Sequence, residues 1–116
     1  MEKEQMLKTI VTTLDDKKAQ DIEVLKLKDN IMGDYFVIAT GSSTTQVKAL
    51  ADEIDFRLSQ AGVEPHHREG VDSSLWILLD YGDIIVHIFH KESRAFYQLE
   101  RLWADTDKID VNELLK

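Results

Sequence analysis

The stretch from Leu75 to Phe89, LWILLDYGDIIVHIF, places the strongest constraint on how this chain can fold. Two runs of strand-forming residues flank a polar break at residues 80–83, and this composition predicts a β-hairpin. The loop is either Tyr81-Gly82 or the four residues 80–83, and both alternatives give one register. Because side chains alternate along a strand, that register pairs Leu79 with Ile84, Ile77 with Val86, Leu75 with Ile88, Trp76 with His87, and Asp80 with Asp83.

The two faces of the predicted hairpin differ in character. One face is wholly aliphatic, so we expect it to be part of the core. The other combines large apolar side chains with polar atoms, and it carries Trp76, Leu78, Ile85, His87 and Phe89. This second face, or its rim, is where we expect function to lie.

Hydrophobic periodicity predicts the remaining elements. Apolar residues at helical spacing predict a first amphipathic helix over residues 2–18 and a second over residues 44–61. Alternation over residues 21–27 predicts a half-exposed or edge strand, whereas residues 35–39, YFVIA, have no polar position and predict a strand buried on both faces. A third helix opens at residues 91–93.

Turn and cap signals support these boundaries. Ser43 and Gln46 fit a capping box at the start of the second helix, and Gly62 fits its C-terminal cap. Residues 63–72 form a loop or one short strand, and residues 105–116 form a frayed tail or a short helix. The chain is therefore expected to be a single domain, residues 1–116, with a mixed sheet of about five strands and helices packed on it.

Composition narrows the classes of partner and site. The net charge of −8 opposes binding along nucleic-acid phosphates and favours a basic protein partner. The alternative is that the acidity only keeps a small protein soluble. The absence of cysteine excludes disulfides, thiolate metal sites and cysteine nucleophiles. No run of about 18 apolar residues and no basic-then-apolar leader is present, so we expect no membrane span and a cytoplasmic location.

The candidate catalytic and metal-binding patterns are incomplete. Gly41-Ser42-Ser43 follows a buried strand and opens a helix, as in nucleotidyltransferases, but the matching pair of carboxylates on a nearby strand is missing. His87 and His90 are three residues apart on a strand and point to opposite faces, so they cannot chelate one ion together. We therefore expect no enzymatic activity, no metal and no cofactor.

Trp76 supports two interpretations. A strand tryptophan commonly belongs to a core, because the indole buries a large apolar area. Its predicted face, however, also holds His87 and continues toward Asp80, and an aromatic patch with a polar rim is typical of an interface. Asp80 and Asp83, if opposite one another, would repel unless a cation arrives, which again favours a basic partner.

Taken in order, these motifs resemble one known family. Residues 34–43, DYFVIATGSS, the pair Glu69-Gly70 before Trp76, residues 80–87, DYGDIIVH, and residues 94–103, RAFYQLERLW, are similar to the iojap family of ribosomal silencing factors. The resemblance implies a nucleotidyltransferase-like fold without that activity, in a cytoplasmic factor that forms a homodimer when free. It also implies binding to the large ribosomal subunit through its fourteenth protein, which would block subunit joining and lower translation when nutrients are scarce.

The resemblance also marks a set of partner-binding residues. They are Trp76, Asp80, Tyr81, Asp83, His87, Arg94 and Tyr97. Gly82 in the same motif is expected to serve the turn, and Trp76 to be the main anchor of the partner surface. Sequence-specific binding of nucleic acid is not expected.

Overall fold

A computed structural model describes residues 2–27, 34–93 and 107–115 of the chain. In chain order the elements are α1 (Lys3–Asp16), β1 (Gln20–Lys26), β2 (Tyr35–Gly41), α2 (Thr44–Gln60), β3 (His67–Glu69), β4 (Trp76–Asp80), β5 (Ile84–His90), β6 (Asp107–Ile109) and α3 (Val111–Leu114). The strands form one sheet in the order β3-β4-β5-β2-β1-β6. The predicted α/β class with a mixed sheet is confirmed, and the described part of the chain contributes six strands where about five were expected.

The centre of the sheet is the pair β2 and β5, which run parallel from Tyr35–Ile84 to Gly41–His90. The other pairs are antiparallel. Residues 36–39 are at most 1% exposed, which confirms the strand buried on both faces. An uninterrupted apolar run is stable here because both faces of a central strand are covered.

Helices α1 and α2 cover one face of the sheet, and their apolar stripes form the main core with it. Ser43 caps α2 as predicted, since its Oγ accepts a hydrogen bond from Gln46 N at 3.1 Å. Gln46 completes the cap differently from a capping box: its Oε1 accepts from Ser42 N at 2.6 Å. Its Nε2 also donates to Lys17 O and Lys18 O at 3.3 Å each, so one side chain joins the end of α1 to the start of α2.

The hairpin of β4 and β5 is present, but the predicted register is wrong by two residues. Trp76 faces Phe89, Ile77 faces Ile88, Leu78 faces His87, Leu79 faces Val86, and Asp80 faces Ile85. Tyr81 N donates to Ile84 O at 2.9 Å, so the chain reverses at Gly82 and Asp83 rather than at Tyr81. Gly82 adopts φ +85°, a conformation that glycine takes at little cost and tyrosine does not.

In the corrected register each strand residue stays on its predicted face, but the predictions for Leu75 and for the pair Asp80 and Asp83 are wrong. Ile77, Leu79, Ile84, Val86 and Ile88 are fully buried in the helix-covered core, as the aliphatic face predicted. Leu75, expected on that face, precedes β4 and is 48% exposed. Asp80 and Asp83 do not face one another, so the predicted like-charge pair is also wrong.

The C-terminal segment adds a strand that the sequence pattern did not reveal. Strand β6 pairs with Val24, Leu25 and Lys26, so β1 is not the sheet edge along these residues. The short helix α3 follows, and it agrees with one of the two alternatives for residues 105–116. The third helix predicted from residues 91–93 onward is a different segment, and beyond residue 93 that prediction lies outside the described residues. Apolar side chains of this segment pack partly buried against the main core, namely Ile109, Val111, Leu114 and Leu115.

Candidate interaction surface

The sheet face opposite α1 and α2 carries a small apolar patch. Trp76 and Leu78 lie on β4 and Ile85 lies on β5, and all three are partly exposed. Strand alternation and the β3–β4 register add polar neighbours on the same side, since His67 faces Asp80 and Glu69 faces Leu78. We call these six residues the Trp76 patch: an apolar centre of Trp76, Leu78 and Ile85 with a rim of His67, Glu69 and Asp80.

Trp76 is held by aromatic neighbours on β5. Its ring stacks on Phe89 with a centroid distance of 5.0 Å and an interplanar angle of 24°. Its Nε1 donates a hydrogen bond to Nδ1 of His87 at 3.1 Å. Offset stacking and a satisfied indole N–H stabilise a tryptophan that is only partly buried.

His87 lies beneath the patch rather than on its surface, with 4% of its area exposed. Its ring packs edge-on to Phe36 at a centroid distance of 5.0 Å. Burial lowers the pKa of His87 to about 4, so the imidazole is neutral near pH 7. In this position His87 supports Trp76, and the structure gives it little surface with which to touch a partner directly.

The hairpin turn separates three residues that the sequence grouped together. Tyr81 is 6% exposed and belongs to the helix-covered core, and burial raises its pKa above the usual value. Asp80 is half-buried, and its Oδ1 accepts from Gly82 N at 2.8 Å, so it shapes the turn. Asp83 is exposed, while its backbone carbonyl accepts hydrogen bonds from Asp34 N and Tyr35 N at 2.7 and 3.0 Å.

Of the seven predicted site residues, the structure describes five. Trp76 and Asp80 belong to the Trp76 patch, and His87 lies beneath it. Asp83 lies at the adjoining turn, and Tyr81 lies on the opposite face. Arg94 and Tyr97 lie outside the described residues. Leu78, Ile85, His67 and Glu69 were not among the predicted site residues, although the alternation that placed Leu78 and Ile85 beside Trp76 already indicated two of them.

The described carboxylates do not form a metal site. Within residues 2–27, 34–93 and 107–115, no group of three or more histidine or acidic side chains is placed to hold an ion. The acidic residues of α2 are in ion pairs instead: Asp52 with Lys48 and Arg68, and Asp55 with Arg68 at 2.7 Å. In the same part of the chain, no helix has the length and apolar character needed to cross a bilayer.

Fold and surface together define a small α/β domain with a half-exposed aromatic patch, the kind of surface that commonly contacts another macromolecule. Comparison with known proteins gives the family. The family model described as ribosomal silencing factor during starvation matches residues 1–116. The chain therefore belongs to this family, and the resemblance to it that the sequence motifs indicated is confirmed.

Individual relatives agree over nearly the whole chain. A ribosomal silencing factor of Halalkalibacterium halodurans is 36% identical over 116 residues, which cover 99% of each chain. A ribosomal silencing factor of Bacillus subtilis is 39% identical over 113 residues, which cover 97% of this chain and 96% of the relative. The crystal structure of a protein from Chromobacterium violaceum superposes with a TM-score of 0.85 at 37% identity, covering 90% of this chain and 88% of that one.

Proposed function

We propose that this protein binds the large ribosomal subunit through a basic protein, the fourteenth of that subunit, and blocks subunit joining by occupying the joining surface. It would thereby repress translation when nutrients are scarce. The names of its relatives as ribosomal silencing factors support a ribosomal partner. We also propose that the protein is not an enzyme, that it acts in the cytoplasm, and that it forms a homodimer when it is not bound to the ribosome.

The Trp76 patch is the observation that carries this proposal. Protein interfaces concentrate their binding energy in a few aromatic anchors near the centre, and a polar rim surrounds that centre. The indole of Trp76 stacks on the buried Phe89 and remains partly exposed, so it offers an apolar surface to a partner. Such a surface binds a partner without first losing much conformational freedom.

Charge supports a basic partner at the same place. Glu69 and Asp80 lie on the rim of the patch, and the exposed Asp83 is at the end of the same hairpin. The chain as a whole carries a net charge of −8. Complementary charge at a rim mainly accelerates association and excludes wrong partners, while the apolar centre provides most of the affinity.

The binding proposal is tested by co-sedimentation of the purified protein with large subunits, small subunits and intact ribosomes. We expect the protein to sediment with large subunits, and to do so far less with intact ribosomes, because the small subunit then covers the site. Binding to small subunits alone, or equal binding to intact ribosomes, would contradict the proposed site.

The mechanism is tested by mixing separated subunits in the presence of the protein. A protein that acts by occupying the joining surface should increase the fraction of free subunits in stoichiometric amounts and without nucleotide. Ribosomes that are already joined should be affected much less. Sub-stoichiometric activity that persists after removal of the protein would instead indicate chemical modification of the ribosome, and would favour a nucleotidyltransferase-like enzyme.

A further inference from the structure

The bond between Trp76 and His87 fixes the chemical form of the histidine. An indole N–H can only donate a hydrogen bond, so Nδ1 of His87, 3.1 Å from Nε1 of Trp76, must be the acceptor. The imidazole is therefore neutral and carries its proton on Nε2. A doubly protonated ring would have no lone pair to offer the indole.

The position of His87, which accepts that hydrogen bond, is fixed by its surroundings. It lies in β5, between β4 on one side and β2 on the other, and it is 4% exposed. Its ring contacts Phe36 edge-on at 5.0 Å and lies nearly parallel to Phe89, with a centroid distance of 6.2 Å. Trp76, by contrast, is partly exposed and lies on β4, next to the edge strand β3.

We infer that His87 is a positioning residue, which holds the indole of Trp76 in the orientation that meets the partner and does not itself touch that partner. This inference rests on the proposed function of the Trp76 patch. Stacking on Phe89 restricts the tilt of the indole, and the hydrogen bond selects its rotation within the stacking plane. Fixing the anchor before binding lowers the entropy that association must lose.

The pKa of His87 is consistent with this role. Burial lowers it to about 4, so the acceptor nitrogen is unprotonated at the pH of any cell interior. A histidine with an ordinary pKa near 6.5 would carry a proton in an appreciable fraction of molecules at neutral pH. Burial thus keeps Nδ1 of His87 unprotonated, so that it can accept the hydrogen bond from the indole.

The test compares two variants of similar size, His87→Asn and His87→Leu. Both lose the imidazole ring and its aromatic contacts, but asparagine retains an acceptor oxygen near the position of Nδ1 and leucine has none. We expect the leucine variant to bind large subunits roughly five- to tenfold more weakly than the asparagine variant, the factor expected for one net hydrogen bond. In a Trp76→Ala background, the two substitutions should give equal affinities.

A spectroscopic measurement reports on the bond itself. The chain has two tryptophans, so the indole N–H resonance of Trp76 is identified by its disappearance in Trp76→Phe. In the unchanged protein and in His87→Asn, this proton should be deshielded and exchange slowly with water. In His87→Leu it should move upfield and exchange faster. Melting temperatures show whether both variants are folded. If the leucine variant is not, His87→Phe replaces it, because phenylalanine also has no nitrogen or oxygen acceptor.

The outcomes separate the two claims. Equal affinities of the two folded variants, with different indole resonances, would overturn the positioning role while leaving the bond in place. An indole resonance that does not change in the variant without an acceptor would overturn the bond. If the unchanged protein and Trp76→Ala bind large subunits equally well, the proposed function of the patch fails instead, whatever the spectra show.

Discussion

Tyr81 and Trp76 occupy the two faces of one hairpin, and the structure uses them in opposite ways. Tyr81 is 6% exposed and packs in the core beneath α1 and α2, whereas Trp76 remains partly exposed on a cluster with Phe36 and Phe89. Both are large aromatic residues of the same family motif. The difference shows that strand parity, more than residue type, decides whether an aromatic side chain of this hairpin is used for stability or is available for recognition.

The largest effect should come from Tyr81. Tyr81→Ala should lower the free energy of unfolding by about 3 to 5 kcal/mol, because it leaves a cavity in a close-packed core. Within the described part of the chain, the hydroxyl of Tyr81 is buried and has no hydrogen-bond partner. Tyr81→Phe should therefore be as stable as the unchanged protein or slightly more stable.

Urea unfolding measures both variants. If Tyr81→Ala were to weaken ribosome binding without a loss of stability, Tyr81 would belong with Trp76 on the partner surface, and the contrast between the two faces would be lost.

The pH dependence of stability tests whether His87, beneath the Trp76 patch, is buried as a neutral ring. Burial lowers the pKa of His87 to about 4 in the folded protein, whereas a histidine in an unfolded chain has a pKa of about 6.5. Well above pH 6.5 the ring is neutral in both the folded and the unfolded state, so its contribution to stability is complete. As the pH falls from about 6.5 to 4, His87 becomes protonated in the unfolded chain but stays neutral in the folded protein. The free energy of unfolding should therefore fall by on the order of 3 kcal/mol.

Denaturant unfolding at several pH values, with His87→Leu as the reference, isolates this contribution. The other titrating groups are common to both proteins. The free energy of unfolding of the unchanged protein, minus that of His87→Leu, should therefore decrease as the pH falls from about 6.5 to 4. Parallel curves would mean that His87 is not buried as a neutral ring.

Trp76→Ala should affect binding more than stability. We expect a loss of about 2 kcal/mol or more in the free energy of binding to large subunits, about 30-fold in affinity, if the indole is the anchor. Phe56→Ala is the matched control, because Phe56 is 58% exposed on α2, away from the patch. Melting of both variants must be measured alongside, since a loss of binding that only follows unfolding would make Trp76 a core residue.

The smallest effect should come from the exposed carboxylate at the turn. Asp83→Asn should reduce the salt dependence of binding and cost less than about 1 kcal/mol, because rim charges chiefly steer association. Asp80→Asn should leave the turn intact, since the asparagine oxygen can still accept from Gly82 N. Asp72, exposed in the loop before β4, supplies the control Asp72→Asn. Identical salt dependence in Asp83→Asn and Asp72→Asn would place Asp83 outside the partner surface.

Sequence periodicity predicted the elements and faces well, and it failed where geometry depends on single residues. The hairpin and its aliphatic face followed from the period of two, which a register shift of two residues leaves unchanged. The shift itself depends on Gly82 taking the positive φ, so that Tyr81 continues the strand and points into the core.

Other parts could not be predicted for a different physical reason. Strand β6 has only three residues and little strand character, and it forms because β1 offers an edge next to it. Likewise, the rim of the patch includes His67 and Glu69 only through the pairing of β3 with β4, a contact that local sequence does not encode. Tertiary pairing, in both cases, overrides local preference.

The parallel pairing of β2 with β5 also affects when the protein can fold. Strand β2 ends at Gly41 and β5 begins at Ile84, so the central ladder joins segments separated by α2, β3 and β4. Such non-local contacts close a long loop before they give any stability, which slows folding. During synthesis, the apolar β2 leaves the ribosome well before its partner strand exists. Until β5 has been made, one edge of β2 remains open to wrong pairing and to chaperones, and truncation before residue 84 should leave an aggregation-prone fragment.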